Sequence, residues 1–160
     1  MNNETSELRV DRAGLGDLDA AHRLFMGYLA FYERDVDPAQ ARKFLQDRIQ
    51  QEQSVIFIAW LDGQAVGFTQ LYPTFASLSL KRSWMLNDLY VSESARARGV
   101  AMSLMAAAKQ LALDTGACEI FLQTARTNKM AQALYEKLGY VRDDAFLVYT
   151  LDIVPAQANS

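Results

Sequence analysis

Histidine and cysteine are nearly missing from this 160-residue chain, which carries His22 and Cys118 alone. One cysteine cannot close an internal disulfide, and no metal is expected. No apolar run reaches membrane-spanning length. Residues Met1 to Arg12 lack the apolar centre of a secretion signal. Positive charge is not in excess: 16 Lys and Arg stand against 19 Asp and Glu, a net charge of −3. That balance gives no electrostatic reason for a nucleic-acid partner. Two phosphate loops are also missing. There is no G-x-x-x-x-G-K-[ST] and no G-x-G-x-x-G after a strand, so a Walker-type triphosphate site and a dinucleotide fingerprint are both disfavoured. A cytoplasmic protein that engages neither membrane nor nucleic acid is the expectation. Internal repeats and low-complexity segments are lacking too.

The composition is that of an ordinary globular chain, with 51% hydrophobic and 22% charged residues, and the length suits one domain with one sizeable core. Leu8 to Ala13 reads as a first strand. Asp17 can cap a helix whose apolar face is Leu18, Ala21, Phe25, Tyr28, Leu29 and Tyr32. Asp37-Pro38 starts a second helix with Ala41, Phe44, Leu45 and Ile49 on one side. Val55 to Leu61 and Ala65 to Tyr72 read as strands joined by the turn signal Asp62-Gly63. Pro73 is expected to stop the second of these, leaving Thr74 to Lys81 irregular. Ser83 to Val91 is a further strand. Gly99 to Asp114 is helical, Cys118 to Thr124 a strand, and Asn128 to Leu138 a helix closed by Gly139. Tyr140 to Arg142 and Phe146 to Leu151 complete the sheet. The order β-α-α-β-β-β-α-β-α-β-β predicts an α/β, or α+β, mixed sheet.

The junction after the strand ending Leu89-Tyr90-Val91 is the most telling stretch. It runs through Arg96-Ala97-Arg98-Gly99-Val100-Ala101 into a helix. The first turn of a helix leaves N–H groups unpaired, and the helix dipole adds partial positive charge there. A phosphate or pyrophosphate is the natural guest. Gly99 and Ala101 allow close approach to the backbone, and Arg96 and Arg98 add full charge.

Downstream stands Asn128, then Ala133-Leu134-Tyr135-Glu136-Lys137-Leu138-Gly139-Tyr140. Strand, Arg-x-x-Gly-x-Ala, helix, strand, Asn and A-L-Y-E-K-L-G-Y together resemble the GNAT superfamily of acetyl-CoA-dependent N-acetyltransferases. The motifs cover Leu86 to Tyr140. Gln70-Leu71-Tyr72-Pro73, Leu86-Asn87-Asp88-Leu89-Tyr90-Val91 and Phe121-Leu122-Gln123-Thr124 are similar to the branch related to histone and polyamine acetyltransferases. The resemblance implies a single N-acetyltransferase domain over residues 1–160, with its motif region at 83–152 and a frayed tail at 153–160.

It further implies that two central parallel strands, Ser83–Val91 and Cys118–Thr124, splay apart around the pantetheine arm of acetyl-CoA. Leu89, Tyr90 and Val91 would then bond pantetheine through their backbone. Arg96, Ala97, Arg98, Gly99, Val100, Ala101 and Met102 would cradle the pyrophosphate. Asn128 would bond the pantetheine arm, and Tyr135 would lie beside the sulfur as its proton donor. An ordinary phenol, with pKa about 10, holds its proton more tightly than a thiol at about 8.5, so hydrogen bonding to a developing thiolate is the truer description.

The expected reaction moves acetyl directly to a primary amine of a polyamine-like small molecule or a protein lysine. A non-catalytic CoA-binding regulatory or interaction module is the alternative. A homodimer is in keeping with the family. An amine with pKa near 10.4 costs about 4.6 kcal/mol to deprotonate at pH 7, so a base is needed. Some relatives carry a glutamate where this chain has Asn87, and asparagine cannot serve. Asp88 is the candidate, although a regular strand points it to the opposite face unless a bulge re-aims it. A water chain ending on Glu33, Asp35 or a tyrosine is the other option.

Overall fold

A computed structural model describes residues 6–155 and divides into two compact units, Met1–Gln123 and Thr124–Ser160. The expected tail from 153 lies in part beyond the described residues.

The first unit is built on a five-stranded sheet in the order β1 (Leu8–Arg12), β2 (Val55–Leu61), β3 (Gln64–Ala76), β4 (Lys81–Val91), β5 (Ile120–Phe121). The first four strands pair antiparallel, and β4 and β5 pair parallel across α3 (Val100–Asp114). Helices α1 (Leu18–Phe31) and α2 (Pro38–Gln50) lie between β1 and β2 in the chain. This is the mixed α/β sheet read from the sequence.

Strand alternation sorts β2 and its neighbours onto two faces. Ile56, Ile58 and Phe68 pack with Leu18, Leu24, Phe25 and Leu45 of α1 and α2. Phe57, Ala59, Val66, Leu89 and Val91 pack with Val100 and Leu104 of α3. The Asp62-Gly63 turn closes the β2–β3 hairpin with both residues at positive φ, 50° and 80°, as a two-residue turn between twisted strands demands. Asp37 caps α2 by accepting from the Ala39 N–H at 3.1 Å, with Pro38 in the first turn.

Three expectations need correction. Asp17 makes no side-chain cap on α1; its carboxylate accepts from the Gly14 N–H at 2.9 Å and fixes the preceding turn instead. Pro73 does not end β3, which continues to Ala76. It sits two residues past the last β2 partner, where Val55 faces Leu71. It opposes Trp84, whose N–H turns the other way to donate to the Glu119 carbonyl just before β5, so the missing proline N–H faces an edge with no neighbouring strand among the described residues. The strand expected over Cys118 to Thr124 is reduced to Ile120–Phe121, because its ladder with β4 holds only Trp84 and Met85.

The second unit holds α4 (Lys129–Lys137). Asn128 caps it by accepting from the Ala131 N–H at 3.1 Å, and Gly139 follows at φ 91°. Within this unit neither Tyr140–Arg142 nor Phe146–Leu151 is assigned as a strand. A strand exists by virtue of its ladder, and the unit taken alone supplies no partner strand. Asp143 turns the intervening chain by accepting from the Ala145 and Phe146 N–H groups at 2.8 and 3.3 Å.

Candidate active site

A single irregularity in β4 decides what this strand presents. Gln70 opposes Asp88 and Leu71 opposes Leu86, so Asn87 is an extra residue with no cross-strand partner. Such a bulge reverses the alternation beyond it. Before it, Trp84 lies on the α3 face, where its Nε1–H donates to Thr115 Oγ1 at 2.9 Å. Regular alternation would put Leu86 and Asp88 on that face with Trp84. The inserted residue sends Asp88 to the α1 face with Phe68 and Tyr90. That is the face to which Asn87 would otherwise have pointed.

Asp88 is buried there at 3% exposure, beside Thr69 and Gln70 at 0% and Ser54 at 8%. Gln70 Nε2 donates to its Oδ2 at 2.6 Å, and Asn87 Nδ2 donates to its Oδ1 at 2.8 Å. The Tyr28 hydroxyl adds a further bond from α1. Ser54 Oγ donates to Gln70 Oε1 at 2.7 Å, and Thr69 Oγ1 donates to the Asp88 main-chain carbonyl at 2.8 Å. Burial pushes the Asp88 carboxyl above its ordinary range, and the bonds from Gln70, Asn87 and Tyr28 pull part of the way back. Burial and the nearby Asp88 charge push the Tyr72 phenol up to about 12. Burial, followed by the charge and hydrogen bond of Asp88, raises the Tyr28 phenol as well. Both phenols therefore keep their protons at neutral pH, and Tyr28 donates to the buried carboxylate. Glu33 and Asp35 are exposed in the turn after α1.

The bulge also re-aims the backbone. Arg82 C=O accepts from Cys118 N–H, and Trp84 N–H donates to Glu119 C=O, so these residues face β5. Past the bulge, Ser92 N–H donates to Val66 C=O at 2.7 Å on the β3 side. Counting back in twos, Tyr90 and Asp88 also face β3, while Leu89 and Val91 face the edge on which β5 has ended. The β4–β5 ladder stops at Met85, six residues short of the end of β4 at Val91. The parallel strands are thus paired at one end and unpaired along the rest of β4. Of Leu89, Tyr90 and Val91, the first and last turn main-chain groups to the opening. Tyr90 instead packs its ring against Phe68 at 6.4 Å and against Gly27, where a Cβ would come within 2.6 Å of its hydroxyl.

Val91 leads into the loop. Arg96 Nε donates to the Val91 carbonyl at 3.2 Å, and its guanidinium lies 5.7 Å over the Phe31 ring. Ala97 and Gly99 both have positive φ, 61° and 78°, with Arg98 between them. Left-handed residues interspersed in such a turn curl successive N–H groups toward one concavity, an anion-binding nest. Gly99 precedes α3 without any side-chain cap. The helix's first internal bond runs from Ser103 N–H to Gly99 C=O, so the Val100, Ala101 and Met102 N–H groups precede it. Ala95 and Val100, each 2% exposed, pin the two ends of the loop in the core, while residues 96–99 are exposed. These features fit a diphosphate.

In the second unit, Asn128 and Tyr135 lie one on the cap and one on the body of α4. The Asn128 carbonyl oxygen serves the cap, and Gln132 Nε2 donates to the Ala125 and Arg126 carbonyls. The Tyr135 ring lies 5.9 Å from that of Tyr140, tilted by 51°.

Sequence reading missed Gln70, Ser54, Thr69 and Tyr28 as companions of Asp88. The available signal was the pair Thr69-Gln70 inside an otherwise apolar strand. His22 Nε2 lies 2.9 Å from the Pro38 carbonyl oxygen. Cys118 is exposed. A cavity of about 280 Å³ opens nearer the Trp84 end of β4, lined by Arg12, Ser54, Pro73, Arg82 and Trp84 among others, and Asp88 is not part of it. Among the described residues no cluster of three or more His, Cys, Asp or Glu could hold a metal ion. No helix among them is long and apolar enough to cross a membrane.

Comparison with known proteins agrees with this geometry. The model of the Acetyltransferase (GNAT) family matches residues 19–140. A Bacillus subtilis (strain 168) protein described as an uncharacterized N-acetyltransferase, YhfO, is 43% identical over 150 residues, covering 94% of this chain and 100% of the relative. A probable acetyltransferase of known structure is 44% identical with a TM-score of 0.87, covering 91% of this chain and 98% of the other. An aminoglycoside N-acetyltransferase, AAC(6')-Iy, solved with CoA, shares the fold at a TM-score of 0.80 and 20% identity, over 96% of this chain and 100% of that one. The chain therefore belongs to the GNAT family of acetyltransferases and is an acyltransferase that uses acetyl-CoA.

Proposed function

We propose that the acceptor is a primary amine, carried by a polyamine-like small molecule or a protein lysine, and that Asp88 is the base that accepts its proton. The observation that carries this reading is the bulge at Asn87, which turns a buried carboxylate to the α1 face of β4. A carboxyl with a raised pKa is a better proton acceptor near neutral pH than an ordinary aspartate. At 3% exposure it takes the proton through an intervening hydroxyl or water, and the Tyr28 phenol already bonded to it lies on that route.

Acetyl-CoA supplies the activated thioester. The main-chain groups of Leu89 and Val91 bond its pantetheine arm. Tyr90, whose main chain faces β3, contributes packing to the wall. Residues Arg96 to Met102 hold the diphosphate with main-chain N–H groups, and Arg96 and Arg98 add charge. Asn128 bonds the pantetheine arm from α4, and Tyr135 donates a hydrogen bond to the departing sulfur. A main-chain N–H on the open stretch of β4 stabilises the carbonyl oxygen as it gains charge. We further infer one catalytic domain over the whole chain, working in the cytoplasm, with a homodimer as its assembly.

The test is thiol release from acetyl-CoA with the purified protein and a panel of polyamines, small primary amines and lysine peptides. Release with at least one amine is expected, and Asp88→Asn should lower it without weakening CoA binding. Tight CoA binding with no release for any amine would instead identify a non-catalytic module.

A further inference from the structure

Resting on the assignment of Asp88 as base, we propose that Gln70, locked by Ser54, is the positioning residue that sets the aim and proton affinity of that carboxylate. The chain of bonds runs in one direction. Ser54 Oγ donates to Gln70 Oε1 at 2.7 Å, and Gln70 Nε2 donates to Asp88 Oδ2 at 2.6 Å. An ionised carboxylate only accepts, so the amide must turn its nitrogen to Asp88. The Ser54 hydroxyl donates to the amide oxygen and so holds the other end of the amide.

Burial makes the arrangement consequential. Gln70 is fully buried and Ser54 is 8% exposed, so neither end of the amide can exchange its partner for bulk water. Gln70 also stands opposite Asp88 at the step where the register slips. The bond therefore bridges the bulge and holds the re-aimed side chain in place. The other titratable groups facing this carboxylate are the Tyr28 phenol from α1 and the Tyr72 phenol from β3, with Arg48 of α2 acting on Tyr72. Asn87 engages the other oxygen, Oδ1. Gln70 is the partner of Oδ2 that is itself fixed by a second buried group.

The experiment uses Gln70→Met, which keeps length and removes the donor, together with Ser54→Ala and Ser54→Thr. Two quantities are read: the Asp88 carboxyl titration by carbon-13 NMR, assigned by difference from Asp88→Asn, and the acid limb of kcat/KM. Losing a hydrogen bond to the charged form raises a carboxyl pKa, so Gln70→Met should move both upward by about one pH unit. Ser54→Ala should move both the same way by less, and Ser54→Thr, which restores the hydroxyl, should return them to the wild-type positions. If Gln70→Met fails to fold, the serine pair carries the test. A carboxyl that does not move, or one that moves while the acid limb stays, overturns the positioning role. Undiminished turnover in Asp88→Asn overturns the base assignment itself, and that result is independent of Gln70.

Discussion

Replacing Asp88 with asparagine should lower turnover and raise stability at the same time. At pH 7 an amine of pKa about 10.4 is almost wholly protonated, and freeing its electron pair costs about 4.6 kcal/mol. A positioned base typically contributes on the order of 10²- to 10⁴-fold to rate, so kcat/KM should fall within that range. Stability moves oppositely because the carboxyl sits at 3% exposure with its pKa raised. The native state binds this proton more tightly than the unfolded chain, whose aspartate titrates near 3.9. Stability from this group is therefore fully present below the unfolded value and is lost as pH rises through the raised native value. Each unit of that rise corresponds to about 1.4 kcal/mol, and in a chain of this size 1 kcal/mol moves Tm by about 2–4 °C. Asparagine keeps the shape and an acceptor for Gln70 without the buried charge. Its Tm should exceed that of the parent at pH 8, and the gap should vanish in acid. Scanning calorimetry from pH 4 to 8 beside a thiol-release assay tests both halves. Equal Tm at pH 8 with unchanged turnover would refute the argument.

Three further outcomes follow from other parts of the site. Tyr135→Phe should reduce kcat at least tenfold while leaving CoA affinity by calorimetry within about twofold; an unchanged kcat with the true acceptor would remove this phenol from the reaction. Arg98→Glu should weaken CoA binding by about 10- to 30-fold at low salt, because a unit charge near a phosphate is worth about 1 kcal/mol in water at 4 Å. The deficit should shrink as salt rises, and a salt-independent affinity equal to the parent's would count against the diphosphate loop. Gly67→Ala would set a Cβ 2.9 Å from the Tyr90 carbonyl oxygen and 3.1 Å from Val100 Cγ1. Overpacking of this kind costs about 1–3 kcal/mol, so Tm should drop and CoA should bind more weakly. A Tm equal to the parent's would show that β4 and the start of α3 yield freely.

The sequence by itself determined the order of helices and strands through α4, because hydrophobic period, the Asp62-Gly63 turn and the caps at Asp37 and Asn128 are written in local residues. It determined the family as well, because a phosphate loop must place Gly99 at a left-handed position and then open a helix, a requirement met within a few consecutive positions. Tertiary structure decided the rest. Pro73 continues a strand because β2 happens to end beside it, and β5 is short because β4 pairs with it for only two residues. The direction of Asp88 was undecidable from β4 alone. A bulge is a mismatch in count between two strands, visible only when Gln70 and Leu71 are laid against Asp88 and Leu86. Alternation along one strand says which residues share a face; the partner strand says where that alternation slips, and here the slip carries the carboxylate from the α3 side to the α1 side.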